Sequence, residues 1–600
     1  MNSRWRERFA FLRPYLARRQ VPILAGWIFV LVSTALDQIS PWMIKVILDS
    51  LQAGKPMASL YLPLGAILAA TVVGGALLYF QRLWVIQSSR RIEYELRRDL
   101  FAGLMVQPKR FFDKHSIGDI MSKATNDLDR IRDMVGPVVL HLARMGCLLV
   151  YTTICIGMLN VRLMWLGLLP SLMMPLLANI FLKKMYGLFG GIQKNLSALN
   201  SFVQDTISGI QVVKAYGKQE EFQAKFQHAS LELRNSSFQV SYFNSIIWPA
   251  IGALGAVGLV LVAWLGGKMV VREEITLGTL SAAIIYLLRL QFPLVGLGWV
   301  ASMIQRANVS IDRLAELRKS FLTEPDEVPT GRVRAETPSE PLRQLEARKL
   351  TFTYDGGRAA LEGISLTLRA GTSLGIVGPT GAGKTTLMHV LCGIYPPPPG
   401  TLFLDGKGRE EFTDEDWIRH FAYAPQDGFL FSTSIRANIL MGKNAEGNRA
   451  GADGAPRSPA EAERAAEWSA LARDLNQFPQ GYESMLGEKG INLSGGQRQR
   501  VGLARALLAD APVLGLDDTL SALDTETESV VLDNLRRHFA GRTLIIISHR
   551  YSAVRACDNI VYLAEGRILE QGTHAELLRL GGAYAAVWER QKLSSALELD

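Results

Sequence analysis

Between Leu374 and Thr386 the chain reads LGIVGPTGAGKTT, an apolar run followed by a glycine loop and a helix start. Gly378, Gly381 and Gly383 let successive backbone N–H groups turn towards one anion, with Pro379, Thr380 and Ala382 completing the loop. Lys384 adds a point charge for outer phosphates and Thr385 a hydroxyl for Mg²⁺. Thr386 continues the first helical turn, whose positive end faces the same anion. This is a P-loop, and ATP or GTP is its expected ligand.

A second stretch, VLGLDDTLSALD over residues 513–524, is an apolar strand that ends in two acids. Asp517 suits a Mg²⁺ shell, and Asp518 stands where a water-positioning carboxylate is needed near a terminal phosphate. An acid pair at a strand end often does no more than cap a helix. A P-loop in the same chain favours the metal. A third stretch, LSGGQRQR from Leu493 to Arg500, opens a helix with Ser494, Gly495 and Gly496, and Gln497 follows in its first turn. The free N–H groups there suit phosphate.

The remaining sequence must hold these stations, and its composition says how. At 600 residues the chain is too long for one core. Hydrophobic residues make up 48% and charged residues 20%, yet the mean hydropathy is +0.13. A membrane half averaged with a soluble half accounts for both. Apolar stretches able to span a bilayer run from Val21 to about Ile47 and over about 61–84, 137–159, 162–182, 246–267 and 277–303. Arginines and lysines crowd residues 1–20 and the loops after the second and fourth spans, including Arg90, Arg91, Lys183 and Lys184. Positive charge marks the cytoplasmic side, so both termini and these loops are expected there. The net charge of +9 is then membrane topology and not a nucleic-acid surface. Cys147, Cys155, Cys392 and Cys557 show no metal or disulfide spacing and are expected to be free thiols.

Asp37 in the first span and Arg289 in the last fall near the middle of apolar stretches. Ionisable groups are costly there and commonly face a cavity, which makes this pair a candidate lining for a transport pathway.

Both inner loops are longer than a turn requires. FFDKHSIGDIMSKATND is read as short helical pieces with Pro108 and Gly118 as breaks, and SGIQVVKAYGKQEE reads similarly. Thr323 to Leu345, with Pro325, Pro329, Pro338 and Pro341, is read as a linker. Helix and strand patterns alternate beyond it, and Gly442 to Pro459 is a loop insertion. The expected fold is a membrane α-helical bundle of six helices over 1–322, a linker over 323–345, and an α/β P-loop ATPase domain over 346–600.

With these stations in order over some 200 residues, the chain resembles the ABC transporters, and LSGGQ resembles their signature motif. The resemblance implies an adenine-stacking role for Tyr354, a Q-loop role beside the metal for Gln426, a D-loop at Ser521, Ala522, Leu523 and Asp524, and a switch role for His549. The inner loops resemble those of exporter-type half-transporters. A dimer is then implied, with ATP and Mg²⁺ held between one chain's P-loop and the other chain's Leu493–Gln497. The expected activity is ATP-driven export of an amphipathic or hydrophobic drug, lipid or peptide across a bacterial inner membrane.

One residue departs from the family. Asp518 stands where Glu is usual, and one carbon less of reach implies a pocket that binds ATP but hydrolyses it slowly. An intact signature beside this departure implies a different, homologous partner chain, with a slow homodimer as the alternative. A soluble ABC ATPase is disfavoured by the six spans. A membrane ATPase that gates a channel shares every feature above.

Overall fold

The computed structural model describes residues 2–321, 342–355, 357–442, 459–487, 490, 493–509, 511–521 and 523–597. The expected linker, apart from residues 342–345, most of the expected insertion, and Ala522 of the D-loop therefore lie outside the described residues. The chain divides into two compact units, Met1–Gln107 with Phe111–Val328, and Pro108–Arg110 with Pro329–Asp600.

The first unit is helical. It comprises α1 (Asn2–Ala17), α2 (Gln20–Asp37), α3 (Ile39–Gln52), α4 (Ala58–Met105), α5 (Lys109–Lys114) and α6 (Ile117–Ser122). Then come α7 (Leu128–Asp133), α8 (Val139–Leu159), α9 (Val161–Ser208), α10 (Ile210–Ala215), α11 (Gln219–Val271) and α12 (Leu277–Lys319). Among the described residues, Gln20–Gln52, Ala58–Met105, Ile117–Leu159 and Gln219–Val271 are long and apolar enough to cross a membrane. Shorter apolar stretches, Val161–Pro170 and Leu277–Gln291, open α9 and α12.

Many apolar residues of these helices point outward. Leu62, Leu64, Leu68 and Val72 of α4 are all exposed, the reverse of a water-soluble helix and the pattern that lipid requires. At 48 residues, α4 is roughly 72 Å long, more than twice a hydrocarbon core, so it must run on into water. There its charges pair within the helix and across to α7: Glu93 accepts from Arg97 of the same helix at 2.7 Å and from Arg132 of α7 at 3.5 Å. Asp127 accepts from Ser310 at 2.8 Å.

Two local expectations are revised. The first span, read as continuous, breaks between α2 and α3. The carbonyl of Asp37 would bond the N–H four residues on, and that residue is Pro41, which has none. In the first inner loop the helix break falls before Gly118, at Ser116, whose hydroxyl caps α6 by accepting from the Asp119 N–H. The second inner loop holds α10 between Gly209 and Gly217, the latter at φ +62°.

The second unit is α/β. Its strands are β1 (Gln344–Thr353), β2 (Ala359–Arg369), β3 (Ser373–Val377), β4 (Leu402–Leu404) and β5 (Lys407–Gly408). They continue as β6 (Phe421–Ala424), β7 (Val513–Asp517), β8 (Thr543–Ile547), β9 (Asn559–Ala564) and β10 (Arg567–Gly572). A four-stranded antiparallel sheet has the order β2-β1-β4-β5, and a six-stranded sheet the order β10-β9-β3-β8-β7-β6. In the larger sheet β9, β3, β8, β7 and β6 are parallel. Every residue of β7 is buried, as a central parallel strand requires.

Candidate functional site

The parallel sheet explains how distant stretches of sequence meet. β3, β8, β7 and β6 are neighbours, and the residue that follows each strand lies at the same edge. That edge presents the P-loop after β3, His549 after β8, Asp517 and Asp518 at the end of β7, and Gln426 after β6. Ligands of open parallel sheets bind at this carboxyl edge. Here it forms a cleft of about 360 Å³ lined by Tyr354, Ala360, Thr380–Thr386, Gln426, Asp517, Asp518, Ile547 and His549.

The loop from β3 to α13 (Lys384–Leu391) depends on glycine at two places. Gly378 has φ +150°, and a Cβ there would lie 2.0 Å from the Leu563 carbonyl oxygen. Gly383, at φ +98°, caps α13 and would meet the Ala360 carbonyl at 2.5 Å. The Lys384 ammonium donates to the carbonyls of Gly378 and Pro379, both at 2.9 Å. Burial pulls its pKa down, against the opposing pull of Asp518 and Asp517.

Asp517 is buried and held on both oxygens. The Thr385 hydroxyl donates to Oδ1 at 3.2 Å, and the Tyr423 hydroxyl donates to Oδ2 at 3.1 Å. Burial raises its pKa despite both bonds, with Asp518 adding to the rise and Lys384 opposing it. A buried carboxylate beside a hydroxyl, in a site that penalises negative charge, fits a divalent cation. Thr385 and Asp517 are therefore the residues here that suit Mg²⁺. Tyr423 did not stand out in the sequence. Its β6 position one residue before the strand end becomes meaningful only when β6 is seen to pair with β7. Burial and Asp517 push its own pKa up, so it stays a donor.

Asp518 sits at the same edge in a left-handed backbone, φ +49°. Its Oδ1 accepts from the His549 backbone N–H at 3.2 Å, and its Oδ2 faces Gln426 Nε2 at 3.5 Å. Asp is among the few side chains that tolerate this conformation. Tyr354 lies at the mouth of the cleft, with its hydroxyl 3.1 Å from Thr386 Oγ1 and its ring edge-on to Tyr395.

Leu493–Gln497 do not line this cleft. Ser494 instead caps the helix Gly495–Leu508: its hydroxyl accepts from the Gln497 N–H at 3.2 Å, and Gln497 Oε1 accepts from the Ser494 N–H at 3.0 Å. Asp524 caps the next helix, Thr525–His538, accepting from the Thr527 N–H at 2.9 Å, which lowers its pKa. Ser521 donates to the Asp518 carbonyl at 2.8 Å. The expected D-loop is thus tied by backbone to the acid pair.

In the first unit, Arg289 donates to the freed carbonyl of Asp37. Tyr286, one turn before it, donates to the carbonyl of Gln38 at 2.6 Å. The Asp37 carboxylate faces Arg144 at 3.4 Å. The two residues singled out in the sequence do meet, through the backbone of one and the side chain of the other.

Comparison with known proteins gives a consistent picture. Residues 23–294 match the family described as ABC transporter transmembrane region, and residues 361–521 match ABC transporter. A probable multidrug resistance ABC transporter ATP-binding/permease protein of Bacillus subtilis is 30% identical, over 98% of this chain and 97% of its own. An ATP-dependent lipid A-core flippase of Syntrophus aciditrophicus is 31% identical, over 96% and 93%. A solved bacterial Atm1-family ABC exporter with ATP bound superposes with a TM-score of 0.73 at 26% identity, covering 96% of this chain and 99% of that one.

Proposed function

Because the chain belongs to the ABC transporter family, we propose that it is one half of an exporter that uses ATP to move an amphipathic or hydrophobic substrate, a drug, lipid or peptide, across the membrane. Its membrane part takes in residues 1–322 and its nucleotide-binding part residues 346–600, with both termini in the cytoplasm. The observation that carries the reading is the union, in one chain, of bilayer-length apolar helices with a P-loop cleft whose Thr385 and Asp517 share one edge.

In this reading the loop amides and Lys384 grip the phosphates, and Tyr354 stacks on the base. Thr385, Asp517 and Gln426 would hold Mg²⁺, which would supply charge neutralisation on the phosphate oxygens. His549 and, from further back, Asp518 face the place of the attacking water. Leu493–Gln497 lie away from the cleft of their own chain, and so they serve the cleft of a second chain. ATP then favours the closed pair because its complete pocket exists only there, and that differential affinity shifts the membrane unit between its two states.

The partner is a different half-transporter. Asp518 is one carbon shorter than glutamate and is drawn back onto the His549 backbone, which leaves it short of a water beside the terminal phosphate. The partner's pocket, completed by this chain's intact Leu493–Gln497, is the fast one. Reconstitution in sealed liposomes tests the whole reading. ATP-dependent accumulation of a hydrophobic probe is expected, and ATP hydrolysis without movement of any drug, lipid or peptide would refute it.

A further inference from the structure

The C-terminal helix, Ala583–Leu597, reaches the segment that carries His549. Its start is fixed: the Glu570 carboxylate accepts from the backbone N–H groups of Ala583 and Tyr584. The Tyr584 ring is fully buried, 5.1 Å from the ring of Tyr551. Gln591 follows Tyr584 by about two helical turns and so lies on the same face of the helix. There its carboxamide meets the backbone after β8. Nε2 donates to the His549 carbonyl at 2.7 Å, and Oε1 accepts from the Tyr551 N–H at 3.2 Å.

Both ends of one amide thus engage the backbone on either side of Arg550, as a neighbouring strand would. Two further bonds tie the same segment towards the cleft. The His549 N–H donates to Asp518 Oδ1 at 3.2 Å, so the residue is held through its N–H on one side and its carbonyl on the other. Arg550 donates to the Leu523 carbonyl at 2.7 Å and to Glu528 Oε2 at 2.8 Å, which links the segment to the expected D-loop. Tyr584, with Val587 and Trp588 packed against the core, already docks the helix. Gln591 adds direction, because it fixes the backbone from which the His549 side chain enters the cleft. A displacement of about 1 Å at such a residue can cost on the order of a hundredfold in rate.

We propose that Gln591 is a positioning residue for ATP hydrolysis: through it the C-terminal helix holds the His549 backbone where the side chain serves the terminal phosphate. Arg550 carries the same hold to Leu523. This deepens the ATPase reading above and rests on it. Loss of the Gln591 carboxamide leaves the P-loop, Thr385 and Asp517 untouched, so nucleotide binding survives while the hydrolytic step slows.

The test uses the full chain in phosphatidylcholine nanodiscs, alone and assembled with its partner, with ATP and Mg²⁺ as the probe and release of labelled phosphate as the rate. In the chain alone, Gln591→Ala should lower kcat at least fivefold while KM and the ATP dissociation constant stay within twofold. Amide hydrogen exchange over residues 549–552 should rise at least tenfold. Gln591→Glu keeps an acceptor for the Tyr551 N–H but sets an oxygen against the His549 carbonyl, so its kcat should fall at least as far. Retained ATP affinity shows that both variants are folded, and a purely structural tie would not divide kcat from KM in this way. A kcat within twofold of the unaltered chain, unchanged amide exchange, or a fall in kcat matched by an equal loss of ATP affinity would overturn the assignment. The unaltered chain keeps the two readings apart. If it hydrolyses no ATP, alone or assembled, the ATPase reading falls and takes this inference with it; if it does and Gln591→Ala matches it, this inference alone falls.

Discussion

Arg289 satisfies the backbone carbonyl of Asp37, an acceptor that Pro41 has deprived of its in-helix partner. A break in an apolar span leaves a polar group that lipid cannot solvate, and a side chain from another helix must meet it. The bond therefore joins α2 to α12 at the point where the first span is weakest.

That relationship predicts a coupling. Arg289→Ala should cost about 1–3 kcal/mol, the range for an orphaned buried acceptor. Pro41→Ala restores an N–H four residues after Asp37 and should make Arg289→Ala much cheaper. Thermal melting of the two single variants and the double variant in detergent measures the cycle, and strictly additive shifts would contradict the clamp.

Asp518 sets the second prediction. The chain purified alone should bind ATP yet hydrolyse it slowly, and Asp518→Glu should raise that rate by on the order of tenfold to a hundredfold, because about 1 Å of reach is worth that much. Steady-state phosphate release decides it. A brisk rate for the unaltered chain, little changed by Asp518→Asn, would remove the case for an unlike partner.

Asp517 gives a pH-dependent signature. Burial raises its folded pKa, so the folded state prefers the protonated acid. The resulting cost is absent below the unfolded pKa, grows between the two values and is fully present above the folded one. Asp517→Asn should therefore raise the melting temperature of the nucleotide-free protein at neutral pH. The gain should vanish as pH falls below the ordinary carboxylate range, and the variant should lose Mg²⁺-dependent stabilisation by ATP. A neutral-pH melting temperature that falls on substitution would show that the bonds from Thr385 and Tyr423 outweigh burial.

Ser494 separates the two pockets. Ser494→Ala removes a helix cap worth about 1 kcal/mol and should leave ATP binding by the isolated chain intact, since Ser494 does not line its own cleft. ATPase of the assembled transporter should fall at least tenfold. Equal loss of ATP binding in the isolated chain would place the signature in the wrong pocket.

Much of the nucleotide cleft was legible because its parts are contiguous. The P-loop and the acid pair each announce themselves within a dozen residues, and strand patterns place them at strand ends. Tyr423 was not legible, since its partner Asp517 lies 94 positions away and the two meet only through the order of β6 and β7. The break at Asp37 was readable from Pro41, four residues on, but hydropathy alone runs straight through it. The meeting of Asp37 with Arg144 and Arg289 depends on how helices rotate against one another, which no single helix records. Gly118 misled because glycine is tolerated in a first helical turn once Ser116 supplies the cap.

The unbroken length of α4 has a mechanical consequence. A rod of roughly 72 Å that tilts by about ten degrees carries its far end through roughly 12 Å, with no joint bending along the way. Such a lever moves its water-exposed end widely for little repacking in lipid, and it returns force in the other direction just as faithfully. Stiffness in the 48 residues of Ala58–Met105 is then the transmission itself, and an inserted glycine pair at its middle would slacken the drive without touching either end.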